Sequence, residues 1–380
     1  MIAKEEIMDI IYDNSWNKLN SVIAYGFGQV GKRYIELFQK RFQVKYIVDN
    51  NSAVDSWRDI PIIPVRDMIA LRNDEKVVIF ASRTAYYSIK KSLEQYGLRE
   101  KKDFCKFDDF ITNWYWQFEN KNVLREVHTS INTNCTFKCK KCNMFMPHYK
   151  CHYQYRLEEL KKDFELFFSR IDYVYVFSLL GGEPFLNKEL GSIIEELKRC
   201  YGTKIGRIEI ITNGSLLPNE DVVKILKACN VTLRISDYSV QIPYKERLKE
   251  LCGLLEQEDI EYTVESSLRW TDFMFPDKEC DKMADVRKHM LCCSPEFHGL
   301  NDGKFYYCHV AWSAEKAGLL SLKDTDYIEL ISINDNDKED CRKIVEHADG
   351  KIDGGYVSLC EFCMGCGEDN RNFIPVGEQV

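Results

Sequence analysis

Three cysteines lie close together in the segment Cys135-Thr-Phe-Lys-Cys139-Lys-Lys-Cys142. Cysteine thiolates are the usual ligands of iron–sulfur clusters, and three of them on a short loop can bind three corners of an iron–sulfur cube. The fourth iron then has no protein ligand, and an open coordination position is typical of a reactive metal centre rather than a structural one. The loop therefore predicts a [4Fe–4S] cluster that can bind a small ligand at its fourth iron.

A zinc site is the alternative interpretation of this loop, with His148, Cys151 or His152 as the fourth ligand. Structural zinc sites usually draw their ligands from paired couples such as Cys-x-x-Cys. Here a gap of three residues is followed by a gap of two. This spacing favours the cluster over zinc.

A second group of cysteines lies in the last quarter of the sequence. Its members are Cys292, Cys293, Cys308, Cys360, Cys363 and Cys366. Four thiolates would saturate a second [4Fe–4S] cluster and make it an electron conduit or a structural brace. Neighbouring side chains of an extended segment point in opposite directions, so we expect only one of Cys292 and Cys293 to be a ligand. Cys366 is either a ligand or a spare thiol, and a zinc ribbon is the alternative.

The composition narrows the class of protein. The chain has 380 residues, 16 cysteines and a formal net charge of −8. The negative charge argues against a nucleic-acid partner, because neutralising phosphates requires clustered lysine and arginine. No apolar run approaches the ~18–20 residues that span a bilayer, and the acidic start lacks the features of a secretion signal. We therefore expect a soluble, cytoplasmic protein, and in that reducing compartment clustered thiols indicate metal or cluster ligation rather than disulfides.

The first part of the chain has the pattern of a small α/β domain. Apolar strands are predicted at 21–25, 44–49 and 76–81, with helices over about 29–40 and 84–96. Strands that alternate with helices indicate a parallel, doubly wound sheet. We assign residues 1–112 to a Rossmann-like βαβ domain. The aromatic stretch from Asn113 to Lys121 is expected to be a connector that packs between domains.

A second alternation of strands and helices begins near residue 123. Strands are predicted at 126–131, 173–180, 207–212, 232–236 and 261–265, and helices at 156–169, 189–200, 219–229 and 244–257. This pattern predicts a partial (β/α)6 barrel over 123–275, followed by a small cysteine-rich domain over 276–380. Chemistry in such barrels occurs at the carboxyl ends of the strands. The cysteine loop, Gly181-Gly182-Glu183 and Thr212-Asn213-Gly214 follow the first three strands, so we expect them to share one rim.

These three motifs together resemble the radical S-adenosylmethionine (SAM) superfamily, over roughly 123–310. The resemblance implies that Cys135, Cys139 and Cys142 hold the catalytic cluster, which cleaves SAM to a 5′-deoxyadenosyl radical. Further SAM contacts are implied at Gly181, Gly182 and Glu183 for the amino end, and at Asn213 and Ser236 for ribose or carboxylate. For Asn213 and Ser236, a strand-end cap or turn is the alternative role. One departure is Lys141, which stands where the family commonly has an aromatic residue near adenine.

The second cysteine group resembles the auxiliary-cluster domains appended to many radical SAM enzymes. Cys293 is followed by Gly303 and Cys308, and then, after a gap, by Cys360-x-x-Cys363. This arrangement is more similar to the single-cluster twitch domain than to the two-cluster SPASM domain. The resemblance implies one auxiliary [4Fe–4S] cluster.

The amino-terminal domain carries a possible nucleotide-binding motif. Gly26-x-Gly28-x-x-Gly31 follows a strand and opens a helix, and Asp49 ends the next strand. This is the context of the dinucleotide fingerprint, in which glycines allow a tight turn and close approach of pyrophosphate. The domain also resembles Rossmann-like units attached to enzymes of bacterial polysaccharide pathways. The sequence is compatible with two roles for this domain, nucleotide binding and a scaffold.

The resemblances imply an enzyme that acts on a polar small molecule. The hypothesis is dehydrogenation or epimerisation of a sugar, nucleotide-sugar or aminocyclitol, with flavodoxin or ferredoxin as electron donor. Epimerisation requires a hydrogen-atom donor, for which Cys280 and Cys151 are candidates. The alternatives are a radical SAM peptide maturase and, in another class, a passive zinc- or iron–sulfur-binding regulatory protein.

Overall fold

A computed structural model gives the architecture and describes residues 12–277, 285–293, 297–367 and 370–380. The chain divides into two compact units, Met1–Val123 and Leu124–Val380. Among the described residues, no helix is both long enough and apolar enough to cross a bilayer.

The first unit is built on a six-stranded sheet. Its strands are β1 (Ser21–Tyr25), β2 (Gln43–Val48), β3 (Ser56–Trp57), β4 (Ile60–Ile63), β5 (Lys76–Ile79) and β6 (Phe104–Lys106). They lie in the order β3-β4-β2-β1-β5-β6, and only the β3–β4 pair is antiparallel. All four residues of β5 are buried, as expected for a central strand covered on both faces. The strand order reverses beside β1, directly before the glycine turn.

Helices connect these strands and cover the sheet. They are α1 (Gln29–Gln39), α2 (Val65–Leu71) and α3 (Arg83–Gln95), followed by a helical run made of α4 (Phe107–Asp109), a π-helix (Phe110–Trp114) and α5 (Tyr115–Glu119). The predicted connector is therefore part of a helix. The rings of Phe110 and Trp114 each lie 5.3 Å from the ring of Phe42, and the Trp114 indole donates a 2.9 Å hydrogen bond to Trp16 O. Burial of these aromatic side chains makes the run a part of the first unit.

The second unit contains an eight-stranded sheet. Its strands are β7 (Val123–Asn132), β8 (Tyr173–Gly181), β9 (Ile205–Thr212), β10 (Thr232–Asp237), β11 (Tyr262–Ser266), β13 (His298–Asn301), β14 (Lys304–Tyr306) and β15 (Tyr327–Glu329). The order is β11-β10-β9-β8-β7-β13-β14-β15. β8 to β11 pair in parallel, and β13 is parallel to β7, whereas β14 and β15 pair antiparallel. A separate antiparallel pair joins β12 (Arg269–Thr271) to β16 (Phe373–Pro375).

Four helices alternate with strands β7 to β11. They are α6 (Leu157–Phe168), α7 (Leu190–Tyr201), α8 (Glu220–Cys229) and α9 (Lys245–Gln257), and the later helices are α10 (Val286–Cys293), α11 (His309–Lys316) and α12 (Lys338–Ala348). Their apolar faces pack on the sheet in one continuous core. The predicted α/β fold class with parallel sheets is confirmed. The sixth parallel strand of this sheet is β13, which lies beside β7 rather than beyond β11.

Candidate active site

The cysteine loop, the Gly-Gly-Glu turn and the Thr-Asn-Gly segment meet at the carboxyl ends of β7, β8 and β9. The backbone N–H of Gly182 donates to Asn132 O at 3.2 Å, and that of Glu183 donates to Asn134 O at 2.7 Å. From β9, the side-chain nitrogen of Asn213 donates to Thr136 Oγ1 at 3.0 Å. Parallel strands bring their carboxyl ends to one edge, and these bonds join the three segments there.

The two glycines of the turn allow this close packing. A Cβ on Gly181 would lie 2.2 Å from Asn132 O, and a Cβ on Gly182 would lie 1.9 Å from Asn134 O. Any larger residue would push the turn away from the cysteine loop. The glycines are thus required by backbone packing inside the protein, whatever further contact they make with a ligand.

The three cysteine sulfurs lie among hydrogen-bond donors. The N–H of Phe137 lies 3.5 Å from Cys135 Sγ, and the amide nitrogen of Asn213 lies 3.6 Å from the same sulfur. The amide nitrogen of Gln379 donates to Cys139 Sγ at 3.3 Å. Burial raises the pKa of the Cys135 and Cys142 thiols to about 11, so metal binding must displace their protons. Buried and half-buried sulfur ligands close to N–H donors fit an iron–sulfur cluster.

The Glu183 carboxylate is buried and bonded within the protein. It accepts hydrogen bonds from the Thr212 hydroxyl at 2.8 and 2.9 Å, from Asn213 N–H at 2.9 Å and from Phe185 N–H at 3.2 Å. Burial nevertheless raises its pKa to about 7. The side chain joins the turn after β8 to the end of β9, a role that the motif alone did not indicate.

Asn213 directly follows β9 and Ser236 is the penultimate residue of β10, and a tyrosine not predicted from the sequence connects them. The Tyr244 hydroxyl donates to Asn213 O at 2.9 Å and lies 3.4 Å from Ser236 O. Lys141 forms ion pairs with Asp277 at 2.8 Å and Asp272 at 3.5 Å, which connects the cysteine loop to the segment after β12. No local sequence signal marks Tyr244 or either aspartate.

The structure shows the environment of two of the residues proposed as a fourth zinc ligand, His152 and Cys151. The Nδ1 of His152 lies 2.7 Å from Thr133 O, and Cys151 is exposed. Over the described ranges, no three or more His, Cys, Asp or Glu side chains form a group that could hold a single metal ion. The thiolates of an iron–sulfur cube bind separate iron atoms and do not meet at one point. Cys280 lies outside the described residues.

Four cysteines of the second group line one small cavity. These are Cys293, Cys308, Cys360 and Cys363. Cys292 is not among the lining residues, while Cys366 Sγ lies 3.7 Å from Cys293 Sγ. Burial raises the pKa of Cys308 to about 12. Besides the predicted cysteines, the cavity wall includes His289, whose Nε2 lies 2.9 Å from Cys363 O.

Local backbone packing requires two of the three glycines in the turn of the first unit, Gly26 and Gly31. Gly26 has φ +108°, and a Cβ on Gly31 would lie 2.0 Å from Gly26 O. A Cβ on Gly28 would meet nothing within 4 Å. The Asp49 carboxylate accepts hydrogen bonds from Phe27 N–H and Asn51 N–H, both at 2.8 Å. Asp49 therefore braces the turn.

One face of the sheet of the second unit carries a buried ladder of charged and polar side chains. Arg234 lies 3.3 Å from Glu209 and 3.6 Å from Glu126. Glu126 also contacts His128 Nε2 at 2.7 Å, and the Ser178 hydroxyl donates to Glu209 at 3.2 Å. The alternating residues of these strands belong to the apolar core under the helices: Val127, Phe177, Ile208, Ile210 and Leu233. In closed (β/α)8 barrels the inward-facing side chains are usually branched and apolar. The charged and polar ladder of this sheet differs from that pattern.

A comparison with protein families finds a match for the segment that contains the three motifs. Residues 129–276 match the model of the Radical SAM superfamily, and the resemblance of the three motifs to that superfamily is confirmed. Among solved structures, the chain is similar to anSMEcpe with bound AdoMet and Cp18Cys peptide, at 20% identity over 37% of this chain and 42% of that chain, with TM-score 0.30.

The chain is similar to two further solved structures, again with low sequence identity and low TM-score. BtrN in complex with AdoMet and 2-DOIA is 15% identical over 51% of this chain and 76% of that chain, with TM-score 0.38. Streptococcus suis SuiB bound to S-adenosylmethionine is 16% identical over 55% of this chain and 52% of that chain, with TM-score 0.29. The match covers less than half the length of anSMEcpe.

Proposed function

We propose that this chain is an enzyme that abstracts hydrogen from a polar small molecule, because residues 129–276 match the model of the Radical SAM superfamily. Cys135, Cys139 and Cys142 would hold a [4Fe–4S] cluster. Such a cluster, when reduced and bound to SAM at its open iron, supplies the 5′-deoxyadenosyl radical. The protein's own residues hold the cysteine loop, bind the amino end of SAM at the Gly181-Gly182-Glu183 turn, and place Asn213 and Ser236 at ribose or carboxylate.

The observation that carries this proposal is that hydrogen bonds connect the cysteine loop, the Gly-Gly-Glu turn and Asn213 at the carboxyl ends of neighbouring strands. The glycine turn bonds to the backbone of the cysteine loop, and Asn213 contacts both Thr136 and the Cys135 sulfur. A site that only stored a metal would have no need of a turn and an amide fixed beside the sulfurs. This argument favours an enzyme over a passive zinc- or iron–sulfur-binding protein.

The face of the sheet that carries the ladder of charged and polar side chains around Arg234 supports a polar substrate. Burying ion pairs such as Arg234–Glu209 is costly unless the groups remain fully hydrogen-bonded. A face of this kind suits hydroxyl, amino or phosphate groups better than a hydrocarbon, because each can exchange hydrogen bonds with the ladder. A sugar, nucleotide-sugar or aminocyclitol fits this chemistry, with dehydrogenation or epimerisation as the reaction.

The second cysteine group is proposed to hold an auxiliary [4Fe–4S] cluster. Cys293, Cys308, Cys360 and Cys363 supply the four thiolates that saturate such a cluster. Cys366 is then a spare thiol beside Cys293. A saturated cluster would accept an electron from a substrate radical, which suits a dehydrogenation, and flavodoxin or ferredoxin would supply electrons to the first cluster. Nucleotide binding at Gly26, Gly28, Gly31 and Asp49 remains a separate hypothesis.

Uncoupled turnover tests the proposed function. The anaerobically reconstituted, reduced protein should convert SAM to 5′-deoxyadenosine, measured by liquid chromatography. Cys139→Ala should abolish this product because the cluster loses one of its three sulfur ligands. Cys308→Ala should retain SAM cleavage, since it alters only the second cysteine group.

Iron and sulfide analysis of the same samples provides the control. We expect about four iron atoms fewer in the triple alanine variant of Cys135, Cys139 and Cys142 than in the wild type. Stoichiometric zinc without sulfide in the wild-type protein would contradict the proposal and support a passive zinc module.

A further inference from the structure

A segment far along the chain, residues 376–380, runs beside the cysteine loop. Lys140 N–H donates to Glu378 O at 2.7 Å, and Val380 N–H donates to Lys138 O at 2.9 Å. Cys139 and Gln379 face each other in this antiparallel bridge. Cys139 is only 6% exposed, whereas Cys135 and Cys142 are half-buried. The segment therefore covers one cysteine of the three.

The side chain of Gln379 is fixed by hydrogen bonds at both ends of its amide. The oxygen accepts from Lys138 N–H at 2.8 Å. The nitrogen donates to Gly377 O at 2.7 Å and to Cys139 Sγ at 3.3 Å. Since an amide nitrogen carries two hydrogens, both donations are satisfied together. One of the two N–H bonds is thereby directed at the sulfur.

The segment that carries Gln379 is anchored just before it. β16 pairs with β12, and Val376 is completely buried. Gly377 has φ +66°, and a Cβ there would lie 3.1 Å from Tyr238 Cβ, so the chain turns closely over the loop after β10. These contacts hold the Gln379 amide in place beside the loop.

We propose that Gln379 is a positioning residue that raises the reduction potential of the cluster held by Cys135, Cys139 and Cys142; this inference rests on the proposed function. Hydrogen bonds to the ligand sulfurs are among the factors that set the potential of an iron–sulfur cluster. Reduction adds one negative charge to the cluster. An N–H dipole directed at a ligand sulfur stabilises the more negative state more strongly.

The experiment is a redox titration of the loaded full-length protein, monitored by electron paramagnetic resonance. The signal followed is the one that changes when SAM is added, which separates this cluster from any second one. Gln379→Leu removes the donor and should leave roughly fivefold less reduced cluster at a fixed solution potential, as expected for loss of about one net hydrogen bond. Gln379→Glu keeps an acceptor for Lys138 N–H but adds a negative charge, so its potential should be lower still.

Glu378→Gln is the matched control. It removes the 3.3 Å ion pair with Lys140 and one exposed negative charge but keeps the backbone hydrogen bonds of the segment, so its potential should not fall below that of the wild type. Identical potentials in all four proteins, or loss of the cluster from both Gln379 variants, would overturn the inference in favour of a purely structural role. If the wild type has no SAM-responsive signal, the proposed function itself fails.

Discussion

At the scale of single residues, Glu183 has a structural role that its motif does not indicate. Its carboxylate accepts hydrogen bonds from Thr212, Asn213 and Phe185 and is fully buried. A direct contact of this carboxylate with SAM would have to compete with those bonds. Its backbone and the two preceding glycines remain the parts proposed to contact the cofactor.

Glu183→Ala is expected to destabilise the second unit because it leaves buried donors without an acceptor. Each unsatisfied buried group costs about 1–3 kcal/mol. Glu183→Gln keeps one acceptor oxygen and should lose less stability than the alanine variant. Urea denaturation of the apo-proteins measures the difference. Glu158→Ala, at an exposed position on α6, is the control and should change the free energy of unfolding by only a few tenths of a kcal/mol. Equal stability of all variants would contradict the role assigned to Glu183.

At the scale of elements, the turn after β8 and the loop after β7 are packed backbone against backbone. The distance from a Cβ on Gly182 to Asn134 O would be 1.9 Å, which leaves no room for a methyl group. Cys135 directly follows Asn134 in the sequence. The position of the first cysteine therefore depends on the identity of Gly182, a residue in the turn after the neighbouring strand β8.

Gly182→Ala should reduce the iron bound by the first cysteine group several-fold, because the methyl group displaces the cysteine loop. Gly253→Ala is the matched control: Gly253 lies within α9, and its Cβ would meet nothing within 4 Å. Alanine there should stabilise the protein by roughly 0.5–1 kcal/mol through helix propensity and leave iron binding unchanged. Iron content and thermal unfolding check both results. Full iron loading of Gly182→Ala would mean that the loop does not need this contact.

At the scale of the whole molecule, buried titratable groups make the stability depend on pH. Burial lowers the pKa of His298 to about 4 and of His347 to about 3, and it lowers the pKa values of His128 and His309 as well. The unfolded chain therefore binds more histidine protons than the folded chain below pH ~6.5. Burial has the opposite effect on three acids, since it raises the pKa of Asp109 to about 6 and the pKa values of Asp163 and Glu183 to about 7.

The free energy of unfolding should decrease as the pH falls from about 6.5 to 4.5. In that range four histidines take up protons on unfolding and three carboxyl groups release them, so the unfolded chain gains about one proton in net. Stability decreases as the pH decreases wherever the unfolded state binds more protons than the folded state. Urea denaturation of the apo-protein across this range measures the slope. His298→Gln should make the slope shallower, and Asp163→Asn should make it steeper. Unchanged slopes in both variants would contradict this account.

The sequence determined the repeating elements of this protein and the motifs on them. Helix α6 was expected at 156–169 and spans Leu157–Phe168, and α9 was expected at 244–257 and spans Lys245–Gln257. Periodicity identifies such elements because each strand or helix alternates buried and exposed faces along its own length. Each of the three motifs directly follows a predicted strand in the sequence. Because parallel strands have their carboxyl ends at one edge of the sheet, this order predicted that the motifs share that edge.

Only the tertiary structure decided which distant residues meet. It brought Gln379 to Cys139 across 240 positions and placed Cys293 rather than Cys292 in the wall of the cavity of the second cysteine group. It gave the Glu183 carboxylate a hydrogen bond from Thr212 on β9. It also folded the aromatic run at 107–119 into the first unit through contacts with Phe42 and Trp16. These outcomes depend on where the chain returns in space, and that is fixed by the packing of the complete core rather than by any local pattern.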